Sequence, residues 1–440
     1  MDRRTLATAL ARALCAGEAD AASAAERLEQ TLGRKWRFVA PLARRYAAAF
    51  EAVVRPRLAD VERFLSRDGG FCRAARRHGP QLAVAQWIQE PAPAMRPAAA
   101  AREWGLPAVA TPGDLAAMLG LEAADLDWFA DLRGWGAGGV DAKLEHYRYR
   151  VVPKRSGRLR LIEAPKQRLK QVQRRLLAEI LRSVPPHPAV HGFVAGRSVA
   201  TFAEPHTAKR MVLKMDLRDF FPSVRAARIE AFFRTAGYPE PVARALTGLV
   251  TNAAPRRVFA KEGELGLVHG ARSLYCRPHL PQGAPTSPAL ANICFRRADQ
   301  RLEALARSAG ADYTRYADDL AFSGGDDFAR HARRFSLHVA AIATEEGFAV
   351  EHRKTRLAPE SGRQRLAGVV VNHRPSLPRA EIETLEAILT NCARDSPETQ
   401  NRDGHPRFRE HLAGRIAYLA MLNPSKAAKL RAIFDRIAWT

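Results

Sequence analysis

At 440 residues the chain is long enough for about two to four structural units of roughly 100–200 residues, which excludes a peptide or a small stapled scaffold, and its 47% hydrophobic and 26% charged residues exclude wholesale disorder. Lys and Arg total 70 against 46 Asp and Glu, a net charge of +24, so the partner to expect is a polyanion, with a merely solvated basic surface as the competing reading. No run reaches the ~18 apolar residues of a membrane span, and the five cysteines (Cys15, Cys72, Cys276, Cys294, Cys392) lack zinc spacing, so we expect reduced thiols in a cytoplasmic protein with no membrane partner.

Residues 1–90 are predicted to be a helical extension. Leu6, Leu10 and Leu14 recur at i, i+4, and Leu42 to Leu65 carries Tyr46, Phe50, Val53, Leu58 and Val61 on one side, with Pro56 dividing the stretch. Residues 91–105 are predicted to be a linker, because Pro91, Pro93 and Pro97 remove amide donors and favour extended chain. Thr111-Pro112-Gly113-Asp114 then opens a short helix that Gly120 can close. From Tyr147, extended runs (Tyr149–Pro153, Met211–Met215) alternate with helical ones, such as that bearing Leu169, Val172, Leu176 and Ile180. The fold class is therefore α+β for residues 106–373. Residues 374–440 return to helix, with Leu412, Ile416, Leu419, Leu430, Ile433 and Ile437 spaced for one buried face. No internal repeat of fixed period is present.

Three segments carry chemistry. Met211 to Pro222 is an apolar strand that delivers Asp216 near its end and is followed by Phe220 and Phe221. Successive strand residues point to opposite faces, so only one of these two rings needs to face a pocket. Leu280-Pro281-Gln282-Gly283-Ala284-Pro285-Thr286-Ser287-Pro288 is a tight loop entering a helix capped by Ser287. Tyr316-Ala317-Asp318-Asp319-Leu320-Ala321-Phe322-Ser323 places adjacent acids inside apolar residues, as at a hairpin tip. A lone Asp-Asp pair is ordinarily a surface turn or a helix cap. Inside an apolar segment, however, the pair is repulsive and poorly solvated unless a cation neutralises it. Two Mg²⁺ ions would do so with Asp216 as the third carboxylate, a site suited to phosphoryl transfer.

In this order the three segments resemble the palm motifs of reverse transcriptases. Val152 to Pro165 resembles the fingers segment of bacterial members. Gly347-Phe348 with Lys354-Thr355, and Gly368 to Asn372, resemble the last palm motif and the primer-gripping hairpin. The resemblance spans about residues 106–440 and implies a right-hand polymerase of fingers, palm and thumb behind the helical extension, with residues 374–440 as the thumb. It implies that Asp216, Asp318, Asp319 and the backbone carbonyl of Leu217 hold two Mg²⁺ ions, and that Lys154 and Arg160 bind the incoming triphosphate. Phe221 would lie under the sugar, Gln282 and Gly283 would shape the nucleotide and template pocket, and Lys354 would contact phosphates. Charge agrees: residues 148–182 carry twelve Lys/Arg against Glu163 and Glu179, a surface for tracking a nucleic-acid backbone.

Within the family the chain most resembles the retron type, through His191-Gly192-Phe193, Gly196-Arg197-Ser198, Ala203 with His206, and the tail of the Tyr-Ala-Asp-Asp segment. That implies template RNA, an RNA–DNA hybrid and deoxynucleoside triphosphates as partners. It also implies an RNA-linked single-stranded DNA product, and antiviral defence with an effector protein. Two positions depart from the pattern: Phe202 stands where Asn is usual, and Leu366-Ala367-Gly368 where Val-Thr-Gly is usual. They leave another bacterial defence or domesticated reverse transcriptase as an alternative, and a catalytically silent RNA-binding scaffold as the reading from a different class. His206 by itself reads as a packed histidine.

Overall fold

The computed structural model of the chain describes residues 3–51, 56–88, 94–136, 145–153, 159–262 and 271–439. Its chain forms two compact units, one from Met1–Val184 with Arg225–Thr286 and one from Pro185–Val224 with Ser287–Thr440. Helix and strand are mixed, as the α+β pattern predicts. Among the described residues no helix is long and apolar enough to cross a membrane, and all five cysteines are free thiols.

In the first unit, five helices (Arg3–Cys15, Ala21–Leu32, Val39–Phe50, Leu58–Arg67, Gly69–His78) close around Leu10, Leu14, Leu28, Leu42, Tyr46, Val61, Leu65 and Phe71. The Leu6, Leu10, Leu14 stripe lies inside this core, and the Tyr46 hydroxyl donates to the Leu14 carbonyl at 3.1 Å. One helix ends at Phe50 and the next begins at Leu58, with Pro56 between those two bounds. The segment read as a linker is packed where it is described: the Arg96 and Ala98 amides donate to the Gly237 and Thr235 carbonyls, and Trp104 stacks on Phe232. Thr111 caps the helix as expected and, beyond that expectation, forms a reciprocal capping box with Asp114, and Gly120 ends the helix Pro112–Leu119 in left-handed conformation. Strands β1 (Tyr147–Pro153) and β2 (Leu159–Pro165) form an antiparallel hairpin. Helix Gln167–Glu179 follows and buries Leu169, Val172 and Leu176.

The second unit is built on a five-stranded sheet. Its strands are β3 (Met211–Arg218), β4 (Ala311–Tyr316), β5 (Asp319–Gly324), β6 (Ala349–Val350) and β7 (Arg356–Pro359). β3 is central, antiparallel to β5 on one side and to β6 and β7 on the other, while β4 lies outside β5. Its burial on both edges explains the apolar Val212, Leu213, Met215 and Leu217. Helices Ser287–Ser308 and Asp326–Glu345 pack on the sheet. The former begins at Ser287 itself, one residue before the expected start. A short hairpin, β8 (Arg365–Leu366) with β9 (Val369–Val370), precedes the helices Arg379–Arg394, Phe408–Leu422 and Pro424–Phe434, which share a core of Leu385, Leu389, Leu412, Ile416, Leu419 and Leu430.

Candidate active site

The register of the sheet gathers the three carboxylates. Asp216 of β3 lies directly opposite Asp319 of β5, and facing Cα atoms in such a ladder are about 4.5–5.5 Å apart. Tyr316 pairs with Asp319, so Ala317-Asp318 is a two-residue hairpin loop, and the Leu217 amide of β3 donates to the Asp318 carbonyl at 2.9 Å. Ala317 has φ = 55°, at the loop position where glycine is customary. That conformation costs a non-glycine residue about 1–3 kcal/mol and persists only where surrounding contacts enforce it.

Those contacts come from a buried polar network. Arg315 and Asp299 are both fully buried and form a two-point ion pair, Nε to Oδ1 at 2.8 Å and Nη2 to Oδ2 at 2.7 Å. The Tyr313 hydroxyl also donates to Asp299, at 2.7 Å. Nη1 of Arg315 donates to Asn292 at 2.9 Å and to the Ala317 carbonyl at 3.0 Å, so the guanidinium grips the turn itself. Asn292 in turn donates to the Gly192 carbonyl. A Cβ on Gly192 would stand 2.5 Å from the Ala317 nitrogen, so only glycine allows this close approach.

The carboxylates are electrostatically loaded. Burial, then the negative charges of Asp216 and Asp319, raise the Asp318 carboxyl above its ordinary pKa. Burial also raises Asp216, with Lys354 opposing and Asp319 adding to the shift. Lys354 Nζ donates to both Asp216 oxygens, at 2.9 and 2.8 Å, and Lys214 Nζ lies 2.9 Å from Asp319 Oδ1. Burial alone would lower the Lys354 ammonium, but its bond to Asp216 and the surrounding carboxylates reverse that and hold it above the usual range.

Among the described residues no three acid, histidine or cysteine side chains stand close enough to enclose one ion. Such a cage is not what Mg²⁺ requires, since it binds through one or two carboxylates together with substrate phosphates and water. Hard oxygen donors on mutually repelling carboxylates, one buried and two half-buried, that already draw two ammonium groups fit a divalent cation.

The other predicted residues are distributed as follows. Phe220 and Phe221 lie on a helical turn, Phe220–Ser223, rather than on the strand, so the strand-alternation argument does not apply to them. Phe220 is buried against Phe295 and Phe348, whereas Phe221 is half-buried and reaches toward the exposed Phe193 at 6.3 Å between ring centroids. Arg160, Gln282 and Gly283 belong to the first unit, and Lys154 lies outside the described residues. Arg160 is exposed on β2. The Gln282 carbonyl accepts from the Glu163 amide at 2.8 Å, and Gly283 has φ = 134° with the Glu163 carbonyl 2.9 Å from where its Cβ would be. Below this loop the buried Glu163 carboxylate receives Asn252 Nδ2 at 2.7 Å and lies 2.8 Å from His279 Nε2. His206 is fully buried between the Ser323 and Thr314 hydroxyls, the packed histidine expected of it, and burial pushes its pKa down to about 3.

Sequence reasoning passed over Lys214, Arg315, Asp299, Asn292 and the Glu163–His279 pair. A signal existed for the ion pair. Arg315 lies between Tyr313 and Tyr316 on a short strand that packs into the sheet, and Asp299 falls on the same helical face as Phe295, Leu302 and Ala306. Two opposite charges on faces that must be buried call for each other.

A family model described as reverse transcriptase (RNA-dependent DNA polymerase) matches residues 152–370. The retron Mx65 reverse transcriptase of Myxococcus xanthus is 44% identical over 328 residues, covering 74% of this chain and 72% of that protein. The retron Mx162 reverse transcriptase of the same organism is 38% identical over 341 residues, covering 74% and 67%. The retron Ec86 reverse transcriptase of Escherichia coli is 31% identical over 232 residues, covering 51% and 64%.

Proposed function

Since the chain belongs to the reverse transcriptase family, with strong relatives of the retron type, and is an RNA-directed DNA polymerase using template nucleic acid and deoxynucleoside triphosphates, we propose that it is itself a retron enzyme. In this reading it copies a structured noncoding RNA from an internal 2′-hydroxyl and retains the RNA-linked single-stranded DNA. It serves antiviral defence together with an effector protein. The observation that carries the reading is 44% identity to a retron enzyme sustained over 328 residues.

The division of labour in this reading is the one that the family resemblance implies. Residues 106–373 form fingers and palm, 374–440 the thumb, and 1–90 a helical extension joined through 91–105. Asp216, Asp318 and Asp319, with the Leu217 carbonyl, hold two Mg²⁺ ions. When bound, these ions would activate the primer hydroxyl and stabilise the leaving pyrophosphate. Lys154, Arg160 and Lys354 meet the triphosphate, and Gln282 and Gly283 shape the pocket for base and template. Phe221 lies under the sugar, where a flat ring gives a ribonucleotide's 2′-hydroxyl neither room nor a partner.

Phe221→Ala is therefore expected to admit ribonucleotides, whereas Phe220→Ala opens a cavity and lowers stability by about 3–5 kcal/mol. Single-nucleotide incorporation of dNTP against rNTP and thermal denaturation separate the two effects. Unchanged sugar discrimination in folded Phe221→Ala removes that ring from the gate.

Protein from its native host at moderate salt is expected to carry nuclease-sensitive RNA and DNA and to release them steeply as salt rises. The retron reading predicts that this DNA is joined to RNA through a 2′,5′-phosphodiester. Bound DNA with a free 5′ end would overturn that reading and leave the polymerase activity standing. A second reading, another bacterial defence or domesticated reverse transcriptase, is favoured by one observation: Phe202 and Leu366-Ala367-Gly368 depart from the retron pattern. Phe202 and Leu366 are both fully buried in one apolar cluster with Val199, Val212 and Val369, and Ala367 packs against it. The two departures thus lie in the same piece of core.

A further inference from the structure

We propose that the N-terminal helical unit carries a second nucleic-acid surface, a basic patch that holds the phosphate backbone of duplex RNA. The patch joins the loop after helix Ala21–Leu32 to the end of helix Gly69–His78. The Trp36 and His78 ring centroids lie 4.8 Å apart, and the Arg34 guanidinium stands over the Trp36 ring, 3.9 Å from its centroid. Around this aromatic centre Arg34, Lys35, Arg37, Arg73, Arg76 and Arg77 are all exposed, and among the described residues none is ion-paired to a carboxylate. The nearby Asp68 is already taken by Arg45.

Two bland accounts fall short. Cations near helix C-termini complement the macrodipole, and two such ends meet here, but together they supply only about one negative charge against six cations. A solvated face is the usual fate of charge, yet salt-bridged arginines occur throughout this chain, whereas these six, on two segments joined by the Trp36–His78 contact, are exposed with no ion pair to a carboxylate among the described residues. A membrane surface needs apolar side chains to insert, whereas Trp36 is half-buried under Arg34. Arg73 and Arg77 are four residues apart on one helix, about 6 Å along its axis, near the separation of neighbouring phosphates along a strand. Duplex RNA presents such phosphates beside a wide, shallow groove that is read by shape. The choice of RNA rests on the chain's RNA-copying activity. It does not depend on the assignments made in the active site.

The test uses the full chain and its Arg73→Gln/Arg76→Gln/Arg77→Gln variant, binding a 30-base-pair RNA duplex and a DNA duplex of the same sequence across a salt series. The variant is expected to bind the RNA duplex about tenfold more weakly near 0.15 M salt, with a log K against log salt slope shallower by about two to three. The triple Arg→Lys variant should restore both quantities, because phosphates accept either cation. Primer extension on a short, saturating primer–template should run at the wild-type rate in all three proteins. Equal RNA affinity and slope in wild type and the Gln variant would overturn the proposal, as would a loss confined to the DNA duplex.

Discussion

Asp318→Asn is expected to abolish DNA synthesis, by roughly 10³-fold or more, while leaving the protein folded. The substitution removes a charge and almost no volume. Asp318 sits on the two-residue loop beside Asp216 and Asp319, and burial with two carboxylate neighbours already disfavours its ionised form. A neutral amide there relieves repulsion, so thermal stability should hold or rise slightly. The same change withdraws one anionic oxygen pair from the place where a divalent cation must be held. Primer extension on an RNA template, read beside a melting curve, separates the two effects. A well-folded variant that extends at the wild-type rate would remove Asp318 from the site.

The second large effect is expected at Arg315. Arg315→Met leaves the fully buried Asp299 without its cation, and breaking one side of a buried pair costs about 3–5 kcal/mol. It also releases the Ala317 carbonyl, so the left-handed turn that presents Asp318 loses a restraint. Arg315→Met combined with Asp299→Leu should recover much of the stability, because removing both partners removes the uncompensated charge. The double variant should still extend poorly, since Ala317 is no longer gripped. Denaturant melts of the two singles and the double close a cycle that measures the coupling. Singles no worse than the double would mean that the pair does not bear on the fold.

The sequence was informative where a local rule decides the outcome. The Thr111 N-cap, the helix stop at Gly120, the Leu169–Leu176 stripe and the hairpin around Asp318 each depend on a few neighbouring residues, and each stands in the structure as read. What escaped depends on distance along the chain. Lys354 reaches Asp216 from 138 positions away, and Asn252 meets Glu163 from 89. No periodicity announces such pairs. Phe220 and Phe221 show a different limit: the strand ends at Arg218 and the chain turns into a helical turn, so a period-two argument was applied where the backbone no longer alternates. Residues 94–104 illustrate a third, because proline spacing describes an extended segment equally well whether it hangs in solvent or lies against Thr235 and Gly237.

The most direct test of the central claim is the metal dependence of DNA synthesis by the purified chain on a primed RNA template. Labelled deoxynucleotides should be incorporated with Mg²⁺ present, incorporation should stop when EDTA exceeds the metal, and it should resume on adding Mg²⁺ back. The same cycle with Asp216→Asn, Asp318→Asn or Asp319→Asn protein should yield no product at any metal concentration. DNA synthesis that persists under excess chelator, or in all three variants, would contradict the account.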